Sequence, residues 1–300
     1  MEKVIVTGGA GFIGSHITDA LIEAGYEVHV VDNLSSGKKE YVNPKATLHV
    51  IDIREKEKLL PIFKGVKYVF HEAALPRVQY SIEHPEETNA VNVGGLLNVL
   101  EAARINKVQR VIYAASSSAY GNSQTLPLKE SFPSNPLSPY GAQKYFGEIY
   151  CKVWSEVHKL ETVSLRYFNV YGPRLNPEGA YALVLGVFLK NKKLGKSLPI
   201  TGDGNQTRDF THVSDVVQAN LLAMKSGKIG RGEVVNIGAG RRQSINEIAK
   251  LIGGEIEHIP SRIEPHDTEA DISRAKELLG WEPKVKIEEG ILELKKIFKV

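Results

Sequence analysis

A single cysteine, Cys151, stands in a chain of 300 residues. That scarcity excludes an internal disulfide and any zinc cluster built from cysteines alone, so no metal site is expected, and it predicts a reduced, intracellular protein. Long apolar runs are missing too. The longest, residues 181–189, is far too short to span a bilayer. Met1-Glu2-Lys3 leads directly into an apolar strand, so the expectation is a cytoplasmic protein with no signal peptide and no membrane partner. Excess charge is lacking as well. Lys and Arg number 38 against 35 Asp and Glu, a formal +3, and no basic run stands out, which leaves no argument for a nucleic-acid partner. Neither an internal repeat nor a low-complexity segment interrupts the chain.

What is present is ordinary globular material, 42% hydrophobic and 24% charged, long enough for one large core plus a smaller lobe. The first half alternates short Val- and Ile-rich runs with amphipathic stretches. "KVIVTG", "EVHVVD", "ATLHVID", "KYVFHEAA", "RVIYAASS" and "TVSLRYFN" read as buried strands. Helical periodicity covers 13–24, 88–104 and 140–158. Strands alternating with helices predict an α/β, Rossmann-type, doubly wound parallel sheet over residues 1–170. After "VYGPR", proline and glycine punctuate shorter elements, with helical periods at 180–193, 213–225, 244–252, 271–279 and 287–299. Residues 171–300 are expected to form a smaller mixed α/β substrate lobe, with a segment near 205–240 returning to the sheet domain.

"VTGGAGFIGSHI" places Gly8, Gly11 and Gly14 three apart, directly after an apolar strand and at the start of a helix. Backbone N–H groups and the positive end of a helix dipole suit a pyrophosphate there, and glycines allow it close approach. Glycine turns also serve packing alone. Asp32, eighteen residues after Gly14 at the end of the second strand, adds weight. A carboxylate at that point accepts from ribose hydroxyls and repels a 2′-phosphate, which favours NAD over NADP. Asp52, after the strand "HVID", either caps the next helix or lies beside adenine; its spacing leaves both open.

"SPYGAQK" sets Tyr140 and Lys144 on one helical face. A free phenol has a pKa of ~10, and a nearby ammonium together with an oxidised nicotinamide ring favours the phenolate. Such a tyrosine takes a proton from an alcohol as a hydride leaves its carbon. The preceding strand ends in Ser116, Ser117 and Ser118 at the carboxyl edge of the sheet, where a hydroxyl either bonds the reacting oxygen or simply forms a turn.

Together these motifs resemble the extended short-chain dehydrogenase/reductase family. "VDNLSSG", "NVGGLLNVLEAA", "YAASSSAYG", "LRYFNVYGPR", "GDGNQTRDFTHVSD" and "VVNIGAG" extend the resemblance over essentially the whole chain, to nucleotide-sugar 4-epimerases of the UDP-glucose and UDP-N-acetylglucosamine types. The resemblance implies tightly bound NAD and catalysis by Ser116, Tyr140 and Lys144. It implies cofactor contacts from Gly8, Gly11, Phe12, Ile13, Gly14, Asp32, Asn33, Ser36, Gly37, Asp52, Ile53, Ala73, Ala74, Asn92 and Tyr167. Substrate contacts fall to Ser116, Ser117, Tyr140, Asn169, Arg208 and Arg262, with Thr268 as a small gate residue that admits N-acetyl sugars. The implied reaction removes hydride from C4 of a UDP-hexose and returns it to the other face.

Related dehydratases carry an acidic pair after the catalytic Ser/Thr, and decarboxylases a Glu at the second of those positions. Here the residues are Ser117 and Ser118, which argues against both. A UDP-glucuronate 4-epimerase remains an alternative, and a non-catalytic NAD sensor a remote one, because Tyr140 and Lys144 are both retained. Family members also dimerise through a four-helix bundle, which here implies 93–104 and 140–158.

Overall fold

The computed structural model describes residues 1–123, 125–177, 184–260 and 265–300. The apolar runs of the first half form β1 (Lys3–Thr7), β2 (Glu27–Asp32), β3 (Thr47–Val50), β4 (Val66–His71), β5 (Arg110–Ser116) and β6 (Glu161–Tyr167). Between them lie α1 (Phe12–Glu23), α2 (Lys56–Ile62), α3 (Val78–Glu83), α4 (Pro85–Asn89), α5 (Leu96–Ile105) and α6 (Pro139–His158). The second half adds β7 (Val170–Tyr171), α7 (Val184–Lys193), β8 (Leu198–Thr201), β9 (Thr207–Asp209), β10 (Thr211–His212), α8 (Val213–Lys225) and β11 (Arg231–Ile237). It closes with β12 (Arg242–Ser244), α9 (Ile245–Ile252), β13 (Ile256–Ile259), α10 (Ser273–Leu279) and α11 (Ile287–Phe298).

Seven strands make one parallel sheet in the order β11-β6-β5-β4-β1-β2-β3. Side chains alternate across it, so each strand feeds two cores. Val111 and Tyr113 of β5 join Leu59, Leu96, Leu100 and Cys151 on one face. Ile112 and Ala114 join Ile17, Leu21, Val216 and Trp281 on the other. Burial on both faces explains the near-continuous apolar runs. The strand order reverses between β1 and β4, so the chains leaving their carboxyl ends diverge and open a crevice, the usual ligand position of a doubly wound sheet.

The lobe beside that crevice has its own core of Leu185, Phe188 and Leu189 from α7, Ile248 and Ile252 from α9, and Ile291 and Leu294 from α11. Its strands pair only in twos, β8 with β13, β9 with β12, and β7 with β10. Among the described residues, no helix is long and apolar enough to cross a membrane.

One helix differs from its sequence expectation. The period over 88–104 is α4 and α5 joined by a π-helical turn, Ala90–Gly95. That turn brings Gly95 against Ile53, where a Cβ would lie 2.4 Å from Ile53 Cδ1. Of the helix expected at 180–193, residues 184–193 are helical and 180–183 lie outside the described residues.

Candidate active site

The carboxyl ends of β1, β4, β5 and β6 open on a cavity of about 1240 Å³. At one end, β1 gives way to a turn in which Gly8 has φ +71°. A Cβ on Gly8 would meet Ala73 N at 2.7 Å, and one on Gly14 would meet Gly8 O at 2.3 Å. The loop, β4 and α1 therefore pack backbone to backbone, which only glycine permits. Gly11 stands at the N-cap of α1, and no side chain caps that helix. Its first N–H groups are left to an anion. Gly8, Gly11, Phe12, Ile13 and Gly14 all line the cavity, as do Asn33, Ser36 and Gly37. Asp32 accepts from Ala10 N (3.0 Å) and Leu34 N (2.8 Å). Burial pushes its carboxyl up, and the two backbone donors pull it back down. The glycine cradle, the uncapped helix start and this carboxylate fit a dinucleotide.

Asp52 and Ile53 line the adjoining wall. Asp52 does not cap α2, whose N-cap is Glu55. It is gripped in bidentate fashion by Arg54 (Nε 2.9 Å, Nη2 2.8 Å) and also accepts from Asn33 Nδ2 at 2.9 Å. The capping reading gives way because Arg54, two residues on, turns back onto the carboxylate. Ala73 and Ala74 line the groove, whereas Asn92 stands behind it. Its amide accepts from Leu75 N (2.8 Å) and donates to Gln143 Oε1 (2.8 Å), pinning the wall to α6.

At the centre of the cavity, Ser138 caps α6 by accepting from Gly141 N at 3.1 Å and Pro139 occupies the first turn, so the helix starts firmly. Tyr140, Lys144, Ser116 and Ser117 all face the cavity. Tyr140 N is further tied to Ser81 Oγ at 3.0 Å, and Ser116 Oγ donates to Ser118 Oγ at 3.1 Å. Lys144 is buried; its Nζ donates to Ala114 O at 2.7 Å and lies 5.0 Å from the centre of the Tyr113 ring. Burial raises Tyr140 to about 12, the Ser116 hydrogen bond pulls the other way, and the Glu72 charge adds to the rise. Burial lowers Lys144, against the pull of Glu72. The Lys144 ammonium is turned to the Ala114 carbonyl.

Toward the lobe, Tyr167, Asn169, Arg208 and Thr268 line the same cavity. Asn169 sits at φ +26° and donates to Asp209 O at 3.2 Å. Arg208 Nη1 donates to Thr207 O and His266 O, both at 2.9 Å. Thr268 N donates to Thr207 O at 3.2 Å. Arg262 lies outside the described residues.

The sequence profile of the NAD dependent epimerase/dehydratase family matches residues 4–238. The chain belongs to this family. It is 36% identical over 312 residues to the UDP-glucose 4-epimerase of Mycolicibacterium smegmatis, spanning 99% of this chain and 98% of that one. Its fold is similar to the crystal structure of Thermotoga maritima UDP-glucose 4-epimerase with UDP-glucose (TM-score 0.95, 41% identity, 99% and 98% of the two chains). It is also similar to that of Bacillus cereus UDP-glucuronic acid 4-epimerase in complex with UDP-glucuronic acid and NAD (TM-score 0.90, 32% identity, 99% of each chain). The chain is thus an NAD-dependent enzyme with the extended short-chain dehydrogenase/reductase fold.

Four charged residues of this epimerase/dehydratase chain line the cavity without having been singled out from sequence: Arg54, Glu72, Arg77 and Glu87. Arg54 and Arg77 follow strands in loops and carry no spacing signal. Glu72 lies within "KYVFHEAA", where it reads as one more strand residue. In the fold it follows β4, and its Oε1 accepts from Tyr167 OH at 2.9 Å.

Proposed function

We propose that this chain is a cytoplasmic UDP-hexose 4-epimerase that interconverts UDP-glucose and UDP-galactose, and their N-acetylated counterparts. The observation that carries the reading is the gathering of Ser116, Tyr140 and Lys144 in one cavity, where the two residues after Ser116, Ser117 and Ser118, are neutral hydroxyls. A neutral pair there offers no carboxylate for eliminating water or carbon dioxide. NAD, when bound, supplies the acceptor and donor of the C4 hydride. It would be held by the Gly8–Gly14 loop, Asp32 and the Asn33–Asp52 wall. Ser116 holds the sugar O4. Tyr140 Oη takes the O4 proton as C4 is oxidised and returns it once the 4-keto sugar has turned over. Asn169, Arg208 and Arg262 grip the diphosphate, since a guanidinium fork matches phosphate oxygens. Firm binding of the UDP leaves the sugar free to rotate. Thr268, small and seated by backbone bonds, leaves room for an N-acetyl group.

Arg77 on the cavity wall favours a second reading, a UDP-uronate as substrate, because a guanidinium there pairs with a C6 carboxylate. Coupled assays with UDP-glucose, UDP-N-acetylglucosamine and UDP-glucuronate separate the two. The expected outcome is a higher kcat/KM for the neutral hexoses; turnover confined to the uronate would replace the first reading with the second. For assembly we propose a homodimer through α5 and α6. Phe146, Ile149, Val153 and Val157 form an exposed apolar stripe along α6, at spacings of three and four.

A further inference from the structure

Two acidic side chains approach Lys144, and they differ in what neutralises them. Glu148, four residues along α6, gives both oxygens to Arg166, at 2.8 and 2.7 Å, so its charge is matched at close range. Glu72 has no such cation; among the described residues no Lys, Arg or His stands within ion-pair distance of it. What holds it is a chain of neutral donors. Asn220 of α8 donates to Tyr167 OH at 2.8 Å, and Tyr167 donates to Glu72 Oε1 at 2.9 Å. Asn220 is itself fixed by donating to Val216 O at 2.9 Å. A carboxylate in the cavity wall is thus aimed from the far face of the sheet.

We propose that Glu72 is a positioning residue of the reaction centre: aimed by Tyr167 and Asn220, its carboxylate is the counter-charge of Lys144 and keeps the proton on Tyr140 until a cation enters the cavity. The ionisable groups packed around it are Lys144 and Tyr140 on α6, Tyr167 on β6 and His71 on β4. Glu148 and Cys151 stand beyond Lys144. Burial raises the Glu72 carboxyl, while its charge raises both Lys144 and Tyr140. His71 is held neutral by burial and bonded to Thr7 Oγ1 at 2.7 Å, so it does not offset the carboxylate.

The test is a Tyr140 titration by NMR of chain labelled with 13C at tyrosine Cζ and loaded with NAD, without substrate. The resonance is assigned by its absence from Tyr140→Phe. Glu72→Gln keeps an acceptor for Tyr167 and removes the charge, so the midpoint of Tyr140 is expected to fall by about one pH unit. A midpoint that stays or rises overturns the proposal. Tyr167→Phe cuts the tether and keeps the charge; it should lower the midpoint by less, and an equal fall would assign the effect to the hydrogen-bond chain and overturn the proposal. If Glu72→Gln does not fold, Glu72→Asp is read instead. Its retracted charge should produce a smaller fall, and an unmoved midpoint is again fatal. The inference rests on Tyr140 as the proton carrier, yet the titration needs no turnover, so it can fail while epimerisation stands and hold while epimerisation fails.

Discussion

In the sheet half, β5 is buried from Arg110 to Ser116 and its side chains alternate between two apolar cores. In the lobe, β9 is three residues long, and what holds its end is one carboxylate. Asp209, fully buried, accepts from Ala239 N (2.6 Å), Gly240 N (3.0 Å) and Ala270 N (2.9 Å), so three chain segments meet on one side chain. Asp215 repeats the device, accepting from Lys284 N and Val285 N at 3.0 and 3.1 Å. One region is organised by apolar area with a repeating pattern. The other is tied by buried acceptors whose partners lie 30 or more residues away. The sheet half carries Ser116, Tyr140 and Lys144, while the lobe brings Arg208 and Thr268 to the same cavity.

The largest effect should come from the sheet side. Tyr140→Phe removes the proton carrier and leaves the packing, so epimerase turnover should fall at least a hundredfold, within the ~10²–10⁴ range of a lost general acid or base. Binding of UDP-sugar, measured by calorimetry, should change by no more than about threefold. A variant retaining a tenth of wild-type turnover would move the chemistry to another residue. Next comes the lobe. Asp209→Ala orphans three backbone N–H groups, one of them fully buried, and the expected loss is about 3 kcal/mol of unfolding free energy in urea. A loss under about 1 kcal/mol would mean that apolar packing carries the lobe as it carries the sheet.

This contrast also explains what the sequence could disclose. Hydrophobic runs flanked by turns located all seven strands of the sheet except β11, because burial on both faces is written into consecutive residues. The glycine loop and the Tyr140–Lys144 spacing were legible for the same local reason. Asp209 was not, since its donors at 239, 240 and 270 become neighbours only on folding. Glu72 was missed because its meaning depends on Tyr167, ninety-five residues away. Spacing along a helix also says nothing about desolvation, which is the largest influence on the Tyr140 phenol.

A smaller effect distinguishes the two ends of the cavity. Asp32→Asn should keep the acceptor for Ala10 N and remove the charge. We expect the preference for NAD over NADP, from paired binding titrations, to drop about tenfold, the ~1.4 kcal/mol of one partly screened charge. An unchanged ratio would shift cofactor choice to another element.

The smallest effect lies beside it. Arg54 holds Asp52 at about 2, below the ordinary carboxylate value of ~3.9. A carboxyl whose folded value is depressed lends stability that is fully present above the unfolded value and disappears as pH falls through the folded one. The pair is partly exposed, Arg54 more than Asp52, so screening limits the contribution to less than about 1 kcal/mol. Urea midpoints of wild type and Asp52→Asn should therefore differ slightly at pH 5, with wild type the more stable, and converge as pH approaches 2. A gap that persists unchanged at the acid end would mean that Asp52 acts through its hydrogen-bonding shape, which the amide shares only in part, and that the charge on Arg54 contributes nothing to this edge of the sheet domain.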